Sequence, residues 1–303
     1  MQHTSHLLMI RPVHFNFNAE TAVNNSFQIR SADATVQDKA LDEFNHFISV
    51  LQKHEIDVTV IEDTPDPHTP DSVFPNNWVS FHEDGTLLLY PMFAVNRRKE
   101  RKQHVLEAIR QKFNISRTID LSAYETDNLF LEGTGSMVLD RVHKIAYACL
   151  SQRTDIHLLN TFCEQMGYRP VSFHAVDEAG NPIYHTNVMM CVADEYVIIC
   201  LNSIPDNTEE KILTQSILET GKELIEISFD QLNHFAGNML QVHNKKNEKF
   251  LVMSSQAFDS LTEMQKMRIE KYNPIIHSDI TTIETNGGGS ARCMMAEVFL
   301  PLR

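Results

Sequence analysis

The sequence predicts a single α/β domain over residues 1–303, in which five ββαβ units close into a propeller with pseudo-fivefold symmetry around a central channel. Three observations carry this expectation: a motif that recurs at near-constant spacing, a strand, strand, helix, strand order within each recurrence, and two half-units at opposite ends of the sequence. Units of this kind cannot bury their apolar faces singly, and a ring covers them.

Each recurrence begins with a polar loop that runs into a first strand. These strands start at NNWVSF (76–81), GSMVLD (135–140), TNVMMC (186–191) and GNMLQV (237–242). With Asn77, Ser136, Asn187 and Asn238 taken as equivalent, the spacings are 59, 51 and 51 residues. A polar turn such as HEDG or HNKKNE then leads into a second strand, TLLLY (86–90), KIAYACL (144–150), YVIICL (196–201) or FLVMS (250–254), which reads as a hairpin. Helices follow. One has Leu159, Phe162, Cys163 and Met166 on one face and stops at Gly167; another is announced by Ser260 and Glu263 as a capping box before Met264. Third strands are ISRTIDL, YRPVSFHAV, ELIEISF and IIHSDITTI.

The fifth unit is split. CMMAEVFLP (293–301) reads as a first strand with no partner after it, and HLLMIRP (6–12) as a second strand with none before it, so the two are expected to pair. A helix over 37–53, with Leu41, Phe44, Ile48 and Leu51 on one face, and the strand IDVTVIE (56–62) complete that unit.

Composition narrows the function. Forty acidic residues against 26 Lys and Arg give a net charge of −14, with no basic cluster beyond Arg97–Lys102, so nucleic acid and anionic membrane surfaces are poor partners. No apolar stretch approaches a membrane span and the N-terminal residues lack a signal-peptide pattern, which points to the cytoplasm. Five cysteines, odd in number and without a Cys-x-x-Cys pair, argue against a disulfide framework or a zinc site. Most are expected to fill core space.

In a ring, the loops entering the first strands converge on the axis. This brings together Asp71, Asn76, Asn77, Glu132, His185, Asn187, His234 and Cys293 from distant segments. A cysteine, a histidine and a carboxylate in one concavity suit nucleophilic catalysis at carbon. Cys293 attacks, His185 moves the proton, and Glu132 orients the imidazole and stabilises its cation. Glycines 287–289 allow close backbone approach and offer N–H groups to a thiolate or an oxyanion. The segment HFNFNAETAVNNSF (14–27) reads either as a lid or as an ordinary polar loop.

Several of these segments resemble the pentein superfamily of guanidine-modifying enzymes, and the resemblance spans nearly the whole chain. GGGSARCMMAEVFLP resembles the nucleophile segment of arginine deiminases; PDSVFPNNWVSF, NRRKE (96–100) and LSQRT (150–154) resemble segments of the dimethylarginine hydrolases. FLEGTG resembles a Glu-Gly-Gly-Asp segment and YHTNVMM a His-x-Asp segment. The resemblance implies Cys293 as nucleophile, His185 as general acid and base, and Glu132 as its partner. It also implies Asp71 on the substrate α-amino group and Arg97 or Arg98, with Arg153, on the α-carboxylate, chemistry for which an aspartate and paired arginines are suited.

The departures from the family pattern concern the substrate. Asn76 and Asn77 stand where relatives place a guanidinium-binding aspartate, Asn187 replaces the aspartate of His-x-Asp, and Gly135 that of Glu-Gly-Gly-Asp. A carboxamide matches a neutral ureido group better than a buried guanidinium. The chain therefore resembles the citrulline hydrolase branch, acting on a small amino acid without metal or organic cofactor. Arginine deiminase, dimethylarginine hydrolase and amidinotransferase activities, and a non-catalytic binding protein of the same fold, are the alternatives; a homo-oligomer is left open.

Overall fold

The computed structural model describes residues 1–303 and contains five three-stranded sheets. Strands β1 (His6–Arg11) and β2 (Asp57–Glu62) open the chain and belong to the split unit, and the first continuous unit holds β3 (Val79–Phe81), β4 (Thr86–Leu89) and β5 (Arg117–Asp120). The second holds β6 (Val138–Asp140), β7 (Ile145–Cys149) and β8 (Arg169–Phe173). Next come β9 (Met190–Val192), β10 (Tyr196–Ile199) and β11 (Glu223–Glu226), then β12 (Leu240–His243), β13 (Lys249–Ser254) and β14 (Ile275–Ser278). The short β15 (Ala296–Glu297) returns to β1, with Leu7 opposite Glu297 and Leu8 opposite Ala296.

Every sheet repeats one pattern. The middle strand pairs antiparallel with the first strand of its unit and parallel with the third. The antiparallel pair needs only a tight turn, whereas the parallel pair needs a crossover, and a helix supplies it. The helix Val36–Lys53 buries Ala40, Phe44, Phe47, Ile48 and Leu51, with Leu41 at the margin of that face. In Ile156–Met166, Asp155 accepts the N–H groups of His157 and Leu158 at the start, and Gly167 ends the helix in the left-handed conformation at φ 69°.

First strands of neighbouring units pack together at the centre: β3 against β15, β6 against β9, and β9 against β12. They wall a narrow channel lined by Gln2 and Gln241 beside Arg292 and Glu297. Gln2 closes it on one side by donating to the carbonyls of Leu139 and Val192.

Three local expectations need correction. The entrances to four first strands are helical turns, not strand: Pro75–Asn77, Gly133–Ser136, Thr186–Met189 and Ala291–Met294. Each turn satisfies part of its backbone internally, as where Met137 N–H donates to Gly133 O at 3.1 Å. Cys293 thus lies in a helical turn. IIHSDITTI is strand only to Ser278; Thr281–Gly287 is helix, because the Glu43 carboxylate accepts the N–H groups of Thr282 (2.8 Å) and Ile283 (3.0 Å). The capping box lies at Thr262 and Gln265 instead of Ser260 and Glu263. No helix is long and apolar enough to cross a membrane.

Candidate active site

The helical turns pack against one another around one mouth of the channel: 75–77 touches both 133–136 and 291–294, and 133–136 touches 186–189. Glu132, His185 and Cys293 sit at or just before three of them. Gly133, at φ 48°, permits this approach, since a Cβ there would collide with the backbone of Asn76 and Asn77.

Glu132 is wholly buried and its oxygens are all committed. Oε2 accepts from His185 Nε2 at 2.8 Å and faces Arg153 Nη1 at 3.6 Å, while Oε1 accepts the Phe93 N–H at 2.9 Å. Burial would raise its pKa, but Arg153 and the His185 bond outweigh burial and hold it below the usual carboxylate range. For His185 burial dominates and lowers the pKa, against the opposing pull of Glu132. The pair is therefore a carboxylate and a neutral imidazole at neutral pH. With Nε2–H directed to Glu132, Nδ1 is the nitrogen left to accept a proton.

Cys293 Sγ accepts from two side-chain amides, Asn187 Nδ2 and Asn238 Nδ2, each at 3.3 Å. The glycine run gives it no hydrogen bond. Gly287 and Gly289 instead lie flat on the Phe74 ring, and Gly288, at φ 63°, admits the Asn25 amide, which donates to its carbonyl at 3.1 Å.

Above the sulfur lies a small cavity bordered by Asp71, Asn77, Arg97, Arg153, His185 and Cys293. Arg97 is held rigidly: it donates to both oxygens of Glu100 (2.8 and 3.0 Å), to Asn77 Oδ1 (2.8 Å) and to Phe74 O (3.1 Å). Asp71 Oδ2 accepts from Asn18 (2.8 Å) and Thr21 (3.1 Å), whereas Oδ1 is buried without a partner. Burial raises the Asp71 pKa against the lowering effect of Arg97. Three further atoms of the residues expected here lack partners, Asn76 Oδ1, Asn77 Nδ2 and Asn187 Oδ1.

Gly135 explains how Asn77 comes to this place. A Cβ on Gly135 would overlap Asn77 Nδ2 and stand 2.8 Å from His185 Nδ1. The missing side chain is the space these two groups fill.

Of the residues expected at the site, Asp71, Asn77, Glu132, His185, Asn187, Arg97, Arg153 and Cys293 are brought together. Arg98 is not. It donates to the carbonyls of Met92 and Phe93 and lies over the Phe130 ring, bracing the backbone that serves Glu132. His234 is also outside, its side chain 46% exposed and turned back to Asp230 O at 2.7 Å. Asn76 is buried in the wall, donating to Thr134 at 3.4 Å.

One contribution is not expected from the sequence, and another is left by it between two readings. Asn238 touches the sulfur, and its only signal is its register in the repeat. The 14–27 segment covers the cavity with buried Asn18, Thr21 and Asn25, and it holds Arg153 through Thr21 O (2.8 Å) and Asn24 Oδ1 (2.9 Å).

The five-unit ring is that of the pentein superfamily, whose members include hydrolases of non-peptide C–N bonds. A family model described as N,N dimethylarginine dimethylhydrolase, eukaryotic, matches residues 11–300, and the chain belongs to that family. Among solved structures, ArgZ, an arginine dihydrolase from the ornithine-ammonia cycle in cyanobacteria, superposes on 98% of this chain with a TM-score of 0.77 at 18% identity. This chain spans 41% of that ArgZ chain and 98% of its isolated N-terminal domain. Unliganded AgrE gives a TM-score of 0.77 at 19% identity over 98% of this chain and 40% of its own. A dimethylarginine hydrolase (DDAH) from Pseudomonas aeruginosa in complex with citrulline gives 0.69 at 17% identity, covering 97% of this chain and 99% of that one. No curated protein matches the sequence.

Proposed function

We propose that this protein hydrolyses citrulline to ornithine, carbon dioxide and ammonia, with Cys293 as nucleophile. The observation that carries the reading is the pair of unpartnered atoms near the sulfur: Asn77 Nδ2, a donor, and Asn187 Oδ1, an acceptor. A ureido group offers one carbonyl oxygen and an NH₂, the complement of that pair, and brings no charge that would need a carboxylate. Glu132, the nearby carboxylate, is already committed to His185, Arg153 and Phe93 N–H.

Asp71 Oδ1 is the free acceptor for the substrate ammonium, and Arg97 and Arg153 face the α-carboxylate. The Cys293 sulfur then attacks the ureido carbon. The bond from that carbon to the ornithine nitrogen breaks as His185, having taken up a proton from solvent at Nδ1, gives it to the leaving amine. Water next adds to the carbamoyl thioester, with His185 Nδ1 taking its proton, and the C–S bond breaks. Carbamate leaves and decomposes to carbon dioxide and ammonia. Five unpaired thiols fit a reducing compartment such as the cytoplasm.

A second reading is favoured by the likeness to ArgZ: the same site starts from arginine. One assay separates the two. Purified protein is given citrulline, arginine or methylated arginine beside a Cys293→Ala control, and ornithine, citrulline and ammonia are measured. Ornithine and ammonia from citrulline alone support the proposal. Turnover of arginine or methylarginine without turnover of citrulline overturns it, and activity that survives Cys293→Ala removes the nucleophile.

A further inference from the structure

Asn238 is wholly buried in the fourth unit, at the register position that Asn187 occupies in the third. Two backbone groups fix which way its carboxamide faces. Oδ1 accepts the Arg292 N–H at 3.0 Å and Nδ2 donates to Asn187 O at 2.8 Å, so exchanging the two ends would break both bonds. In this orientation the second Nδ2 hydrogen is free for Cys293 Sγ at 3.3 Å. Asn187 Nδ2 approaches the sulfur at the same distance.

The sulfur thus faces two N–H donors delivered by two different units of the ring. For its own hydrogen the sole acceptor is Asn238 Oδ1, distant at 3.7 Å and already engaged by Arg292. His185 makes no hydrogen bond to it. Donors without a good acceptor favour the charged form of a thiol.

We propose that Asn238 is a further catalytic residue: with Asn187 it forms a two-amide cradle that holds the Cys293 sulfur as a thiolate facing the cavity. The proton passes to solvent before substrate binds. The proposal rests on Cys293 being the nucleophile and is independent of which substrate enters. Unlike Asn187, whose Oδ1 is without a partner, Asn238 has both ends of its carboxamide engaged, by the Arg292 N–H on one side and by Asn187 O and the sulfur on the other.

The test is the rate at which iodoacetamide alkylates Cys293 in the full chain, followed by mass spectrometry of the peptide that carries it, from neutral to strongly alkaline pH. Asn238→Ser is expected to react about tenfold more slowly at neutral pH, the worth of a hydrogen bond to a charged group, and to converge with wild type at alkaline pH. Asn238→Asp is nearly isosteric, keeps the acceptor for Arg292 and places a carboxylate against the sulfur; it should be slower still. Asn187→Ser, which removes the other donor, must shift the neutral rate in the same direction, and it decides the matter if circular dichroism shows the Asn238 variants unfolded.

Wild-type rates in these variants, or slowing that is equal at every pH, would overturn the cradle. So would a wild-type Cys293 that fails to react. Alkylation needs no substrate, so a failure to turn over citrulline beside the expected alkylation pattern sinks the functional reading alone.

Discussion

His185 Nε2 and Glu132 Oε2 meet at 2.8 Å where neither residue reaches solvent, and the carboxylate receives an arginine and a backbone N–H as well. The contact sets the imidazole tautomer and so selects Nδ1 as the working nitrogen. Replacing Glu132 by Gln keeps the shape but removes the charge that stabilises the imidazolium. Steady-state kinetics of Glu132→Gln should show kcat lowered roughly 10²–10⁴-fold with KM little changed. The acid limb of its pH profile should also move to lower pH, because Glu132 raises the His185 pKa. An unchanged profile would detach Glu132 from the histidine.

Gly135 is the second point of test. Since its missing Cβ is the room used by Asn77 Nδ2 and His185 Nδ1, Gly135→Ala must displace one of them. Overpacking of this kind costs about 1–3 kcal/mol. Activity should fall by more than tenfold while thermal melting shows a folded protein. A fully active alanine variant would mean that the two groups need not stand where they do.

Asp71 offers a separation of binding from chemistry. Its free Oδ1 is the acceptor assigned to the ammonium, and Asp71→Asn keeps an acceptor for Asn18 and Thr21 while losing the charge. KM is expected to rise roughly tenfold to a hundredfold with kcat preserved within a few-fold. A drop in kcat alone would place Asp71 at the reacting carbon instead.

Glu284 supports the glycine run from below, accepting from Ser290 Oγ, and burial pushes its pKa up to about 7 against those hydrogen bonds. The sign follows from linkage. A carboxyl whose folded pKa exceeds its unfolded one binds more protons when folded, so its stabilisation is complete below the unfolded value of 4.5 and is lost as pH rises through 7. Melting temperature should therefore decline between about pH 4.5 and pH 7 and level off above it, a loss on the order of 3 kcal/mol. Glu284→Gln should flatten that decline; if its curve parallels wild type, another group titrates.

Much of this architecture was legible because it is written in registers. The 51-residue spacing placed Asn187 and Asn238 at equivalent positions, and the unpaired half-units at residues 6–12 and 293–301 located the closing pair of strands. Four-residue helical turns were not legible, since one turn is too short to show a period. His234 was assigned to the axis because it lies in a segment entering a first strand, but it stands 49 residues after His185 instead of 51, and the helix Phe229–Asn233 directly before it turns it outward. The 14–27 segment was ambiguous for a different reason: its asparagines bond to Asp71, Arg153 and Gly288, and nothing local in the sequence encodes partners so remote.

The pairing of β1 with β15 bears on when the protein becomes active. Cys293 stands just before β15, and β15 is held through Leu7 and Leu8, the most widely separated strand contact in the molecule. Loop-closure entropy makes such a contact the costliest to form early in folding. His185 and Glu132 belong to units whose sheets form from nearer segments, and they can be in place while the thiol still rides on an undocked tail. The reactive group is then the last to arrive, and a chain in which this pairing has not yet formed carries an unarmed cysteine.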